Sequence, residues 1–183
     1  MQPKEYILMS SPSHEQLRTA ILDLFYETVS RYPPPYAPGP EPAGDPPYRL
    51  GDYLIYQGYL SPRSLTSAIN EAQAQPTPTR KTSPLGVTLV NRYNIPGPVL
   101  AVTLLLQTLD RLEQTPNLPP HFMGEQLLRE AALSPEQLAV VLEEQVEDYG
   151  QGQWRRLGDL IANHGWLDAE TLSAAVQAVR HAE

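Results

Sequence analysis

The sequence predicts an all-α fold of stacked helical hairpins, and three observations carry that prediction. Apolar residues recur at helical intervals, and no useful stretch alternates at a strand's period. One phrase is written twice, as RLGDYLIYQG at 49–58 and RLGDLIANHG at 156–165. The positions around that phrase also recur in four segments roughly 35 residues apart, the spacing of a repeat architecture.

The elements follow in order. A first helix, within residues 1–32, is expected from about Ser13 to Arg31. Ser13 stands three residues before Gln16, a capping-box spacing, and Leu17, Ile21, Leu24, Phe25 and Val29 then form a helical stripe. Residues 33–47 hold eight prolines, which excludes both helix and central strand and predicts an extended connector. It reads first as a passive linker, and otherwise as a strap anchored by Tyr32, Tyr36 and Tyr48.

From 48 to 183 the repeat takes over, in units near 48–76, 83–112, 121–148 and 155–181. Counted from Gly51, apolar residues follow at Leu54, Leu60, Leu65 and Ile69, with a second glycine at Gly58. Gly86 is followed at the same offsets by Leu89, Ile95, Leu100 and Leu104, with Tyr93 in the second glycine's place. Gly124 is followed by Leu127, Leu133, Leu138 and Leu142, with Ala131 there. Gly158 is followed by Ile161, Leu167, Leu172 and Val176, with Gly165 there. Each unit translates into a short helix, a turn and a longer helix. The second glycine suits a left-handed C-terminal cap. Ser61-Pro62, Ser134-Pro135 and Asp168 are N-caps of the longer helices, and the last two apolar offsets place a stripe on each longer helix. The four units are expected to associate as two pairs.

Composition narrows the function. Hydrophobic residues make up 41%, as in an ordinary globular chain, and there is no Cys for thiol chemistry, disulfides or Cys-ligated metals. The start MQPKEYILMS lacks a secretion signal's layout, and the longest apolar run, PVLAVTLLL at 98–106, is far too short for a bilayer. A cytoplasmic protein without membrane insertion is therefore expected. Net charge is −8, with eleven Arg and only two Lys, so direct DNA binding through a basic face is not expected.

Catalysis has little support. No phosphate-binding loop or dinucleotide fingerprint is present, and His14, His121, His164 and His181 lack metal-ligand spacing. Glu143, Glu144, Glu147 and Asp148 read as a solvated acidic face, and Asp52 and Asp159 as favouring the positive end of a short helix. The expectation is a non-enzyme without cofactor or metal.

The repeated R-L-G carries more chemistry. A glycine at the start of a short helix lets a flat ring or a phosphate approach backbone N–H groups. An Arg just before it can bond a phosphate, or offer its planar fork to the N7/O6 edge of guanine. Two such surfaces suit a ligand with two similar ends. The competing reading is that the glycines only permit close helix packing and the arginines are ordinary surface residues.

The first and last units, RLGDYLIYQGYLSPRSLTSAI and RLGDLIANHGWLDAETLSAAV, resemble the repeat of the MshEN domain, the N-terminal regulatory domain of type II secretion and pilus-assembly ATPases. Members of that family bind the bacterial second messenger cyclic di-GMP on two motif copies, each holding half of the ligand through its Arg, glycines and apolar side chains. Carried over residue by residue, the resemblance implies contacts from Arg49, Leu50, Gly51, Leu54, Gly58 and Leu65, and from Arg156, Leu157, Gly158, Ile161, Gly165 and Leu172. Arg63, Arg80, Arg92 and Trp154 are secondary candidates. The family's motif ends in Gln. Here those positions are Ala72 and Val179, while Gln107 and Gln145 lie in the middle units, which lack the Arg. If the two complete motifs do not meet, Arg49 would pair with Arg80, Lys81, Leu85 and Gly86 of the second unit. The resemblance implies a stand-alone cyclic di-GMP receptor that signals to a partner such as a transcription regulator or a pilus or secretion ATPase. The alternative is a ligand-independent protein–protein adaptor.

Overall fold

A computed structural model describes residues 14–75, 84–116, 120 and 122–180. Ser13, Arg80, Lys81, His121 and His181 lie outside the described residues. Those described contain helices and no strand: α1 (His14–Arg31), α2 (Leu50–Tyr56), α3 (Pro62–Ala74), α4 (Leu85–Tyr93), α5 (Gly97–Gln114), α6 (Met123–Arg129), α7 (Pro135–Gly150), α8 (Leu157–His164) and α9 (Ala169–Arg180).

The apolar offsets of the sequence have local causes. In the first three short helices the carbonyl of the residue at the first apolar offset accepts from the N–H six residues on. These bonds run Leu60 to Leu54 at 3.2 Å, Ile95 to Leu89 at 3.2 Å and Leu133 to Leu127 at 3.3 Å. Each lies one residue beyond the bond that closes a Schellman cap, which here runs from the Tyr59 N–H to the Leu54 carbonyl at 2.8 Å and from the Ala132 N–H to the Leu127 carbonyl at 2.9 Å; the six residues joined by the longer bonds are all buried. The chain turns through a left-handed residue at Gly58 (φ +81°), Ala131 (φ +55°) and Gly165 (φ +68°). In the second unit that residue is Asn94 (φ +55°), one place after the expected Tyr93.

The longer helices start as their sequences predict. Ser61 Oγ accepts from the Ser64 N–H at 3.1 Å. Ser134 and Gln137 form a reciprocal capping box, at 3.2 and 2.9 Å. Asp168 accepts from the Thr171 N–H at 2.7 Å.

The packing departs from stacked hairpins. A short helix lies chiefly on the long helix of the neighbouring unit, not on its own. α2 packs on α5 and α3 on α4; likewise α6 packs on α9 and α7 on α8. In the first three units the leading glycine meets the Leu fourteen residues later. A Cβ on Gly51 would stand 2.5 Å from Leu65, on Gly86 3.0 Å from Leu100, and on Gly124 3.2 Å from Leu138.

Three apolar clusters result. One joins α2 to α5 around Leu54, Leu89 and Leu100, and another joins α6 to α9 around Leu127, Val141 and Leu160. Between them Leu17 and Ile21 of α1 pack with Leu105, Leu109, Leu112, Leu128 and Leu138. There α5 lies against α7, and α1 covers both.

The Pro-rich segment is strapped down. The Tyr36 N–H donates to the Gly58 carbonyl at 3.1 Å, and the Gly39 N–H to the Ile55 carbonyl at 3.0 Å. Tyr59 Oη donates to the Tyr32 carbonyl. The first two bonds end on carbonyls at and just beyond the end of α2, where the Ile55 carbonyl also accepts the Gly58 N–H at 3.0 Å, so the segment is held against the end of that helix.

Candidate functional site

A cleft of about 640 Å³ opens where α5 meets α7, within the roughly 300–1,000 Å³ of small-molecule sites. Its apolar wall is Leu104, Leu138, Leu142 and Leu157; its polar groups include Gln107, Gln145, Thr108, Arg49, Arg111 and Glu125. Leu104 and Leu142 are the last apolar offset of their units, expected to extend the core stripe. They are only half-buried because the cleft, not another helix, faces them. The equivalent Ile69 is 37% exposed.

Both copies of the R-L-G phrase are fastened to this cleft, and by matching bonds. Gln107 of α5 donates Nε2 to the carbonyl of Tyr48, the residue before Arg49, at 2.6 Å. Gln145 of α7 donates Nε2 to the carbonyl of Arg155, the residue before Arg156, at 3.3 Å. The two glutamines occupy one repeat position, in units two and three. The first and last units carry Ala72 and Val179 at that position, and each phrase receives its glutamine from the neighbouring unit. In both copies the Asp after the glycine accepts from the Arg N–H: Asp52 from Arg49 and Asp159 from Arg156, each at 3.3 Å. These aspartates steady the start of the short helix, as their position predicts.

Each copy has further anchors. Tyr53 Oη donates to Asp110 of α5 and accepts the Tyr48 N–H at 3.3 Å, and the Tyr48 and Tyr53 rings meet edge to face at 5.5 Å. Burial and the bond to Asp110 push the Tyr53 phenol well above its ordinary pKa, so it stays a donor. On the other side the Arg155 guanidinium lies 2.7 Å from the Asp148 carboxylate and 3.2 Å from Glu144. Both acids belong to the run read as a solvated face; Asp148 is buried and helps hold the second phrase to α7. With their backbones fixed, Arg49 and Arg156 keep exposed side chains, and neither takes a side-chain partner among the described residues.

The other carried-over residues divide. Leu157 lines the cleft with Arg49, whereas Arg156, the residue before it, is not part of the lining. Leu54 and Ile161 are completely buried; they pin their short helices to the core and do not face the cleft. Leu50, Leu65 and Leu172 pack against the same clusters. Gly58 and Gly165 are left-handed caps. Gly51 is closed off by Leu65, whereas a Cβ on Gly158 would find only Met123, at 3.5 Å. Among the secondary candidates, Arg63 and Arg92 are exposed elsewhere, and Trp154 packs on Tyr149 at 4.7 Å. Leu85, of the fallback pairing, packs into the first core cluster.

Among the described residues no group of His, Asp or Glu is arranged to hold a metal ion, and no helix is long and apolar enough to cross a membrane. Comparison with protein-family models, with curated proteins and with solved structures returned no match.

Proposed function

We propose that the chain is a receptor for cyclic di-GMP, which it binds in the α5–α7 cleft, and that it passes the signal to a partner protein without catalysis. The observation that carries this reading is the equivalence of the two phrases. A glutamine from the same repeat position bonds the carbonyl before each Arg, one from each wall of a single cleft. A ligand with two like halves is matched by a site with two like halves. Arg49 on the cleft wall, and Arg156 next to the lining Leu157, supply charge for phosphates or forks for guanine edges, and Leu104, Leu138, Leu142 and Leu157 supply a dry wall. On this reading the units form two reciprocal pairs, and the ligand bridges the pairs.

Isothermal titration with cyclic di-GMP tests it, with cyclic di-AMP and GTP as controls. Saturable binding selective for the guanine dinucleotide is expected, reduced at least tenfold by Arg49→Ala and by Arg156→Ala with the far-UV circular dichroism unchanged. Heat no different from dilution, from a folded protein, would refute the receptor.

A second reading, the ligand-independent adaptor, has one observation in its favour. Gly51, Gly86 and Gly124 are each accounted for by a leucine that needs their missing Cβ. On that reading both Arg→Ala variants behave like any surface change, and a partner protein is retained by each.

A further inference from the structure

Arg111 stands one turn after Gln107 on α5 and lines the same cleft as Arg49. Its Nε donates to Glu125 Oε2 at 2.9 Å. Glu125 is only 3% exposed and also accepts from Arg129 at 3.1 Å. Two guanidinium groups therefore share one buried carboxylate. The Phe122 ring lies 5.7 Å from the Arg111 guanidinium carbon, a cation–π distance. Arg111 is thus fixed along one edge by the carboxylate and supported by an aromatic ring. Its terminal amino groups take no other partner among the described residues, and its side chain keeps 23% exposure.

That geometry differs from a surface ion pair. A guanidinium bonded through Nε to a buried acid presents its remaining N–H groups in a set direction, and a planar fork matches two oxygens of a phosphate. Arg49 brings charge on an unrestrained side chain, while Arg111 brings it pre-aimed, which lowers the ordering cost of binding.

We infer that Arg111 is an anion-binding residue of the α5–α7 cleft, taking a phosphodiester through its terminal amino groups, with Glu125 as the positioning residue that aims it. This rests on the cleft being a ligand site, but not on which nucleotide fills it.

Titration of the full chain with cyclic di-GMP and, separately, with inorganic pyrophosphate as a base-free anion tests the inference, using Arg111→Lys, Arg111→Gln and Glu125→Gln. Arg111→Lys keeps the charge and loses the fork; it is expected to weaken the nucleotide tenfold or more with an unchanged melting curve. Arg111→Gln is expected to weaken both probes, and Glu125→Gln to weaken the nucleotide without touching it. Wild-type affinity for cyclic di-GMP in Arg111→Lys and Arg111→Gln would overturn the inference and leave the receptor standing. Pyrophosphate binding that needs Arg111, without any cyclic di-GMP binding, would overturn the receptor and keep the inference. Binding of neither probe by the wild type would end both. Should Arg111→Gln fail to fold, Arg111→Lys decides.

Discussion

Ala131 occupies the left-handed region, at φ +55°, where its Cβ crowds the following carbonyl at a cost of roughly 1–2 kcal/mol. Glycine stands in the same place in the first and last units. Ala131→Gly removes that crowding, and part of the gain is offset by a looser unfolded chain. The net expectation is about 0.5 kcal/mol of added stability, seen as a higher urea midpoint at unchanged slope. Asp168 makes a second expectation, about acidity. The Thr171 N–H donated to its carboxylate holds its pKa below the ordinary value. A depressed folded pKa means the stabilisation is fully present above the unfolded value of about 3.9, and is lost as pH falls through the folded one. The gap in melting temperature between wild type and Asp168→Ala should therefore be constant near neutrality and narrow below about pH 4.

At the level of elements, the four leading glycines do not share one reason for being glycine. A Cβ on Gly51 would press on Leu65 at 2.5 Å, a contact that forces the leucine to move. Gly51→Ala is expected to destabilise by roughly 1–3 kcal/mol. Gly158 has room to spare, at 3.5 Å from Met123, so Gly158→Ala should stay within about 0.5 kcal/mol of wild type. Chemical denaturation of the two variants side by side checks the contrast. The short helix, its left-handed cap and the capped longer helix were legible in sequence because each is decided within a dozen residues. Ser134 and Gln137, and Leu54 with Leu60, are local signals of that kind. The left-handed residue of the second unit fell at Asn94 rather than Tyr93 for the same local reason, since Asn tolerates that conformation better than a ring does. The cleft was less legible. Gln107 and Gln145 stood out as displaced from the R-L-G units, but what they bond depends on α2 lying on α5 and α8 on α7. No periodicity reports such a pairing. Arg111 and Glu125 carried no signal beyond being charged residues in helices.

At the level of the whole molecule, α1 seals the junction that α5 and α7 form between the two helical pairs. Ile21 has no exposed surface and packs among leucines of α5, α6 and α7. Ile21→Ala is expected to cost about 2–5 kcal/mol. Because the junction it fills lies between the two outer clusters, calorimetry should show the melt broadening or splitting rather than only moving down. The same loss should loosen the cleft, whose walls are α5 and α7. The crossed packing of short and long helices has a consequence of its own. When the end of one segment sits on its neighbour and the neighbour's end sits back on it, the arrangement is that of two molecules that have exchanged arms. Here the exchange is made permanent by the peptide chain. No single segment carries a finished interior, so the smallest portion that can close upon itself is a couple: residues 48–114 or 122–180, never 48–75 alone.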